Sequence, residues 1–156
     1  MTESMKNRNR LLAERMIKAL GSRNMEAFYA ETKEDALKKA LELIPEGSSI
    51  SWGGSMSIQE IGLTDAVKSG KDQVYERAAA KNPKEKRKIE LQAFDCDFFL
   101  ASSNAITEDG ILVNIDGNAN GVAAYAFGPK NVLLIVGMNK IVKTEEDAMH
   151  RARNEA

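Results

Sequence analysis

Three short runs, SSISW (Ser48–Trp52), DFFLA (Asp97–Ala101) and NVLLIVG (Asn131–Gly137), constrain this chain more than anything else in it. In DFFLA and NVLLIVG the apolar residues stand side by side instead of alternating with polar ones, as in strands that bury both faces, and SSISW sets Ile50 and Trp52 among small serines. That pattern belongs to a parallel sheet covered by helices on its two sides. The sequence between the runs supplies the helices. Ala13, Met16, Ile17 and Leu20 follow helical spacing over 4–20, with Gly21 at a C-terminal cap position. Thr32 with Asp35 three residues on forms a variant capping box. The helix it opens carries Ala36, Leu37, Ala40, Leu41 and Ile44 as its buried stripe and stops at Pro45–Gly47. Asn82, Pro83 and Glu85 start another helix, because proline suits the first helical position. GVAAYAF (Gly121–Phe127) is a short buried helix, and Thr144 with Asp147 caps a last one. MEAFYAE (Met25–Glu31), DQVYER (Asp72–Arg77) and ILVNI (Ile111–Ile115) are read as further short strands. The expected class is α/β, a mainly parallel twisted sheet with helices on both faces.

The chain has 156 residues, 43% hydrophobic and 29% charged, which fits one soluble domain over 1–156. Such a domain buries roughly 70% of its unfolded-chain surface and needs no covalent staple. A net charge of −1 and an isoelectric point near 5.9 point away from nucleic-acid and membrane-surface proteins. The basic run KNPKEKRK (Lys81–Lys88) reads as the solvated face of a helix. No apolar run approaches the roughly 20 residues that span a bilayer. The N-terminus MTESMKNRNR lacks the basic-then-apolar order of a signal peptide, so a cytoplasmic location is expected. Cys96 is the only cysteine. An intramolecular disulfide is therefore impossible and a cysteine metal site is not expected. Next to Phe94, Phe98 and Phe99, the thiol reads as a small buried hydrophobe. We expect neither a metal nor a resident cofactor in this chain.

In parallel sheets, ligands bind at the carboxyl ends of the strands. That rule selects three loops rich in Gly, Ser and Asn: 53–57, 102–110 and 116–121. In SWGGSMS, Gly53 and Gly54 allow close backbone approach, and Ser55 stands where N–H groups face a phosphate or carboxylate. The plainer reading is a tight turn with Ser55 as a cap. Neither Gly-x-Gly-x-x-Gly nor a Walker lysine is present. In the second loop, Ser103 and Asn104 follow the strand DFFLA. Glu108 and Asp109 serve either as acid–base groups or, with Gly110, as an ordinary turn. In NIDGNANG, Asn114, Asp116, Asn118 and Asn120 alternate with small residues including Gly117, presenting many donors and acceptors in a short span. Together these loops form the expected ligand wall. The catalytic candidates are Asp116 and Glu108, with Glu60, Asp109 and Lys130 behind them, and nothing singles one out. His150, the only histidine, lies on the last helix, so a Ser–His–Asp arrangement at the loops is not available.

The segments GSSISWGGSMSIQEIGL, SSNAITEDGILVNIDGNANGVAAYAFGPK and VGMNKIV, in order from about Arg8 to Arg153, resemble the LUD domain, the lactate-utilisation domain of bacterial and archaeal proteins. The resemblance implies the three-layer, Rossmann-like fold shared with ribose-5-phosphate isomerase, glucosamine-6-phosphate deaminase and coenzyme A transferases. It implies an association with L-lactate oxidation to pyruvate, beside partner subunits that carry iron–sulfur clusters. Many similar proteins continue into a cysteine-rich tail that this sequence does not contain. No catalytic acid of those enzymes can be matched to a single position here. Three readings stay open. The first is an accessory or ligand-binding subunit with a pocket for a small anion, alone or as a homo-oligomer. The second is an isomerase- or transferase-type enzyme acting on a sugar phosphate or coenzyme A ester. The third is a structural domain whose glycine loops only turn.

Overall fold

The computed structural model describes residues 2–155 and starts its helices where the caps stand. Helix α1 (Glu3–Gly21) begins at Thr2, whose hydroxyl oxygen accepts the Met5 N–H. Helix α2 (Lys33–Leu43) has a reciprocal cap. The Asp35 N–H donates to the Thr32 hydroxyl oxygen, while the Asp35 carboxylate accepts from the Thr32 N–H and O–H. Strand β1 (Ser49–Trp52), helices α3 (Met56–Glu60) and α4 (Leu63–Ser69), strand β2 (Gln73–Tyr75) and a 3₁₀ turn at Arg77–Ala79 follow. Helix α5 (Pro83–Gln92) opens with the Asn82 side chain accepting the Glu85 N–H. After β3 (Phe98–Ala101), β4 (Ala105–Thr107) and β5 (Leu112–Val113) come α6 (Asn120–Ala126), β6 (Asn131–Leu134), β7 (Ile141–Val142) and α7 (Glu145–Glu155). Thr144 caps α7 by accepting the Asp147 N–H.

Spatial contacts gather these elements into two compact units. One unit comprises Leu37–Ser102 and Asp116–Ile135 and holds a four-stranded sheet in the order β2-β1-β3-β6. All its strand pairs are parallel, with Ile50 opposite Phe98 and Leu100 opposite Leu133. Successive strand residues face opposite sides. Ile50 and Leu100 therefore point to one side, where they meet Ala40 and Ile44, Ile58 of α3, and Leu63 and Val67 of α4. Phe99 and Ala101 point to the other side, where they pack on Ala93, Cys96 and Ala124 of α6. One core on each face of the sheet makes this a three-layer α/β arrangement. Burying a side chain such as Ile50 or Leu100, both 0% exposed, is worth about 1.5–3 kcal/mol each.

The other unit is formed by the N-terminal segment through Ala36, Ser103–Ile115 and the chain from Val136 onward. Its sheet has the order β5-β4-β7, with β4 antiparallel to β5 and parallel to β7. Helix α7 lays the fully buried Ala148 and Ala152 against it, and α1 buries Ala13 and Met16. The β4–β5 turn requires Gly110. Its φ is +87°, and a Cβ there would come within 3.2 Å of the backbone at Ala19 and Leu20.

The structure departs from the sequence reading at several places. NVLLIVG shortens to β6, at the edge of its sheet with Val132 36% exposed, and DQVYER shortens to β2. Gly21 is the last residue of α1, and Ser22 stands at the cap position. Residues 25–30 form no strand: the Met25 N–H returns to the Leu20 carbonyl at the end of α1, and the alternating run joins no ladder. The segment 102–110 is not all loop, because Ala105, Ile106 and Thr107 form the buried strand β4. ILVNI shortens to the two residues of β5, since pairing with β4 stops where Asn114 turns its side chain to the backbone of Asn104. Leu41 lies on the solvent side of α2 at 41% exposure, so the stripe narrows to Leu37, Ala40 and Ile44. Among the described residues no helix is long and apolar enough to cross a membrane.

Candidate anion-binding site

All four strands of the larger sheet are parallel, so their carboxyl ends share one edge. Gly53 leaves that edge after β1, Arg77 after β2 and Ser102 after β3. The Gly53 N–H is held by the Leu100 carbonyl at 3.3 Å, which fixes the start of the loop. Neither Gly53 nor Gly54 adopts a left-handed conformation. A Cβ at Gly53 would make ordinary contact with the Phe99 ring at 3.6 Å, and one at Gly54 would meet only the Arg77 guanidinium, 3.9 Å away. Backbone strain therefore does not demand glycine at 54, where the exposed main chain lies beneath a positive charge. Arg77 is half-buried, and its guanidinium forms no ion pair or hydrogen bond with another described residue. Ser55 precedes α3 in extended conformation (φ −136°, ψ 119°) but does not cap it. Its Oγ is buried and has no hydrogen-bond partner among the described residues. A buried hydroxyl without a partner costs about 1–3 kcal/mol, which a bound acceptor would offset. The Ser102 hydroxyl, at the end of β3, approaches the hydroxyl oxygen of Ser57 at 3.5 Å. Helix α3 has only five residues, so its dipole adds little positive field at the loop beside the Arg77 guanidinium.

Arg77 is the residue that the motifs did not reveal. It follows a three-residue strand, and only the position just beyond β2, equivalent to that of Gly53 beyond β1, marked it. The family comparison completes the picture. The LUD domain model matches residues 13–156, nearly the whole chain. This chain belongs to the LUD domain family. Comparisons with curated proteins and with solved structures found no match.

The remaining polar residues of this LUD domain divide between its two units. In the larger unit, Asp116 holds the start of α6: its Oδ2 accepts the N–H groups of Gly121 at 2.7 Å and Val122 at 3.3 Å, and its Oδ1 that of Asn118 at 3.1 Å. Burial pushes the Asp116 carboxyl up, but these N–H groups outweigh it and hold the pKa below the usual value. Gly117 makes the turn beneath them. Asn118 and Asn120 flank Ala119, which is left-handed at φ 59°, and line a cleft with α5. The Tyr125 hydroxyl donates to the Ser102 carbonyl at 2.6 Å, and burial pushes its pKa up to about 12. Trp52 packs against the core, with the Lys68 ammonium 5.4 Å from its ring centre. Lys130 pairs with Asp97 at 2.7 Å.

In the smaller unit, the Ser103 hydroxyl is buried and donates to the Ala105 carbonyl. Asn104 and Asn114 clamp each other's backbone: Asn114 Oδ1 accepts the Asn104 N–H, and Asn104 Oδ1 accepts the Ile115 N–H. Arg151 of α7 donates to the Asn104 carbonyl. Glu108 pairs with Arg15 of α1 at 2.9 Å, and the Asp109 carboxylate accepts the Thr107 hydroxyl proton beside Arg23. The Thr107 contact, ahead of the arginines, holds the Asp109 carboxyl below its usual range. The geometry thus gathers Gly53, Gly54, Ser55 and Arg77 in one place, and Asn118 with Asn120 in another. Ser103, Asn104 and Asn114 spend their polar atoms on the β4–β5 hairpin.

Proposed function

We propose that this LUD domain is an accessory, ligand-binding subunit of a lactate-utilising system, and that its Gly53–Ser55 loop takes the carboxylate of a small organic acid. One observation carries the reading: an unpaired Arg77 guanidinium stands over the exposed Gly54 main chain, beside a buried Ser55 hydroxyl with nothing to bond. The guanidinium fork matches a carboxylate bidentately, and a charge-assisted hydrogen bond is about twice as strong as a neutral one. The electron transfer belongs to partner subunits, because a single buried cysteine cannot supply the four thiolates that iron–sulfur clusters usually take. The enzyme reading draws on Asp116 and Glu108, whose carboxylates are already committed to the α6 cap and to Arg15.

Calorimetric titration of the purified protein with lactate, pyruvate and inorganic phosphate tests this. Arg77→Gln is expected to weaken carboxylate binding at least about tenfold, equivalent to about 1.4 kcal/mol. Gly54→Val, at an ordinary backbone conformation with open space, blocks the approach without unfolding the chain. If wild type and both variants bind these acids equally, or none binds, the reading is wrong.

A further inference from the structure

The basic run over Lys81–Lys88 and the asparagine-rich run over 114–120 meet in a second place that the carboxylate site does not use. Pro83, Lys86, Arg87 and Glu90 stand at i, i+3, i+4 and i+7 on α5 and so share one face of that helix. Across from this face lie Asn118 and Asn120, and the six side chains line a cleft of about 330 Å³. Such a volume exceeds that of a lone simple anion and lies at the lower end of small-molecule sites. Neither the Lys86 ammonium nor the Arg87 guanidinium forms an ion pair with a described residue. The asparagines are placed deliberately: Ala119 between them adopts φ 59° and ψ 3°, a conformation that costs an L-residue about 1–2 kcal/mol. Asp116 keeps that turn in place through the N–H groups of Asn118, Gly121 and Val122. Strain held at a polar loop is a mark of ligand sites.

We propose that this cleft is a phosphate-binding site for the diphosphate group of a small molecule. Two adjacent cations suit a group carrying charge on two phosphorus centres, with Arg87 gripping oxygens through its fork and Lys86 acting as a point charge. The Asn118 and Asn120 amides donate to the remaining oxygens, and Glu90 faces the opposite end as the acceptor for a hydroxyl or amine of the attached group. The site is independent of the carboxylate reading, since it shares no residue with Gly53, Gly54, Ser55 or Arg77.

The test is an NMR titration of the full chain with inorganic pyrophosphate, inorganic phosphate and a short single-stranded oligonucleotide, followed at the side-chain amides of Asn118 and Asn120. Pyrophosphate is expected to shift both amides and to bind at least about tenfold more tightly than phosphate. K86Q/R87Q, on an exposed helix face, should weaken pyrophosphate about tenfold or more, whereas E90Q should tighten it by removing a like charge. Arg77→Gln leaves the pyrophosphate titration unchanged, so a failed carboxylate site and a failed phosphate site are told apart. The proposal is overturned if pyrophosphate shifts neither amide, if K86Q/R87Q binds it as wild type does, or if the oligonucleotide binds more tightly than pyrophosphate.

Discussion

Asp116, a catalytic candidate by its sequence setting, also has a structural task at the start of α6. Its position amid Asn114, Asn118 and Asn120 made it the foremost acid of the chain, yet its carboxylate is saturated by backbone N–H groups at the start of α6. Spacing alone does not distinguish a cap from a general base, because both need an unencumbered acid beside glycine. The same ambiguity hid Arg77, which has no motif and whose importance comes from the main chain of Gly54 beneath it. Asp116→Asn is expected to destabilise the protein by about 1 kcal/mol, since the new NH₂ group faces a donor where Oδ2 accepted two. Chemical denaturation checks this. The loss should shrink in acid: the folded pKa lies below the unfolded one, so the Asp116 contribution is complete above the unfolded value near 3.9 and disappears as the pH falls through the folded value. A variant as stable as wild type at neutral pH would contradict the capping role.

At the scale of elements, the long or strongly capped pieces were legible and the short ones were not. Helices α2, α5 and α7 announce themselves through Thr32 with Asp35, Asn82 with Pro83, and Thr144 with Asp147, and α1 through the spacing of Ala13, Met16, Ile17 and Leu20, although Gly21 proves to be its last residue and not its cap. Strands β3 and β6 carry adjacent apolar residues, and β1 alternates serine with Ile50 and Trp52. Strands β4 and β7 have three and two residues and no local period marks them, while β5 is the two-residue part of ILVNI that pairs with β4. Asp97 is an element-scale device of the same hidden kind. Just ahead of β3, its carboxylate accepts the Ser49 N–H and O–H at 2.8 Å each and the Lys130 ammonium at 2.7 Å, tying the amino ends of β1, β3 and β6. Lys130, then Ser49, hold its carboxyl far below the usual range. Its stabilisation is therefore present above the unfolded pKa and is lost as the pH falls through the folded one. Unfolding measured from neutral to acid pH should show Asp97→Asn less stable than wild type at pH 7, with the gap closing in acid. A gap independent of pH would remove the electrostatic part of this account.

For the whole molecule, the α/β class and parallel pairing follow from a few apolar runs, but the division into two units does not. Each unit is built from segments that lie far apart in the chain, and nothing local in the sequence records it. The candidate site was legible to a similar degree. The rule that ligands gather at strand carboxyl ends selects the Gly53–Ser55 loop, where the buried Ser55 hydroxyl has no hydrogen-bond partner among the described residues. The rule does not tell which of the asparagines are spent on hairpins, as Asn104 and Asn114 are.

The smaller unit draws its parts from the beginning, the middle and the end of the chain, and this has a consequence for how the protein is made. During synthesis α1 leaves the ribosome well before β7 and α7, so the sheet it shares a unit with gains β7 and the covering face of α7 only when those later elements emerge. Synthesis proceeds at roughly 5–20 residues per second, so β4, already paired with β5, waits several seconds with the edge that β7 takes still unpaired. Those strands are where a nascent chain is open to chaperones or to its neighbours. A chain stopped before Glu145 lacks the two buried alanines of α7 and is expected to accumulate in the insoluble fraction, whereas the same truncation made by protease after folding leaves the rest soluble at first. Pulse labelling of both forms separates the two cases, and equal solubility throughout would show that assembly does not wait for the C-terminus.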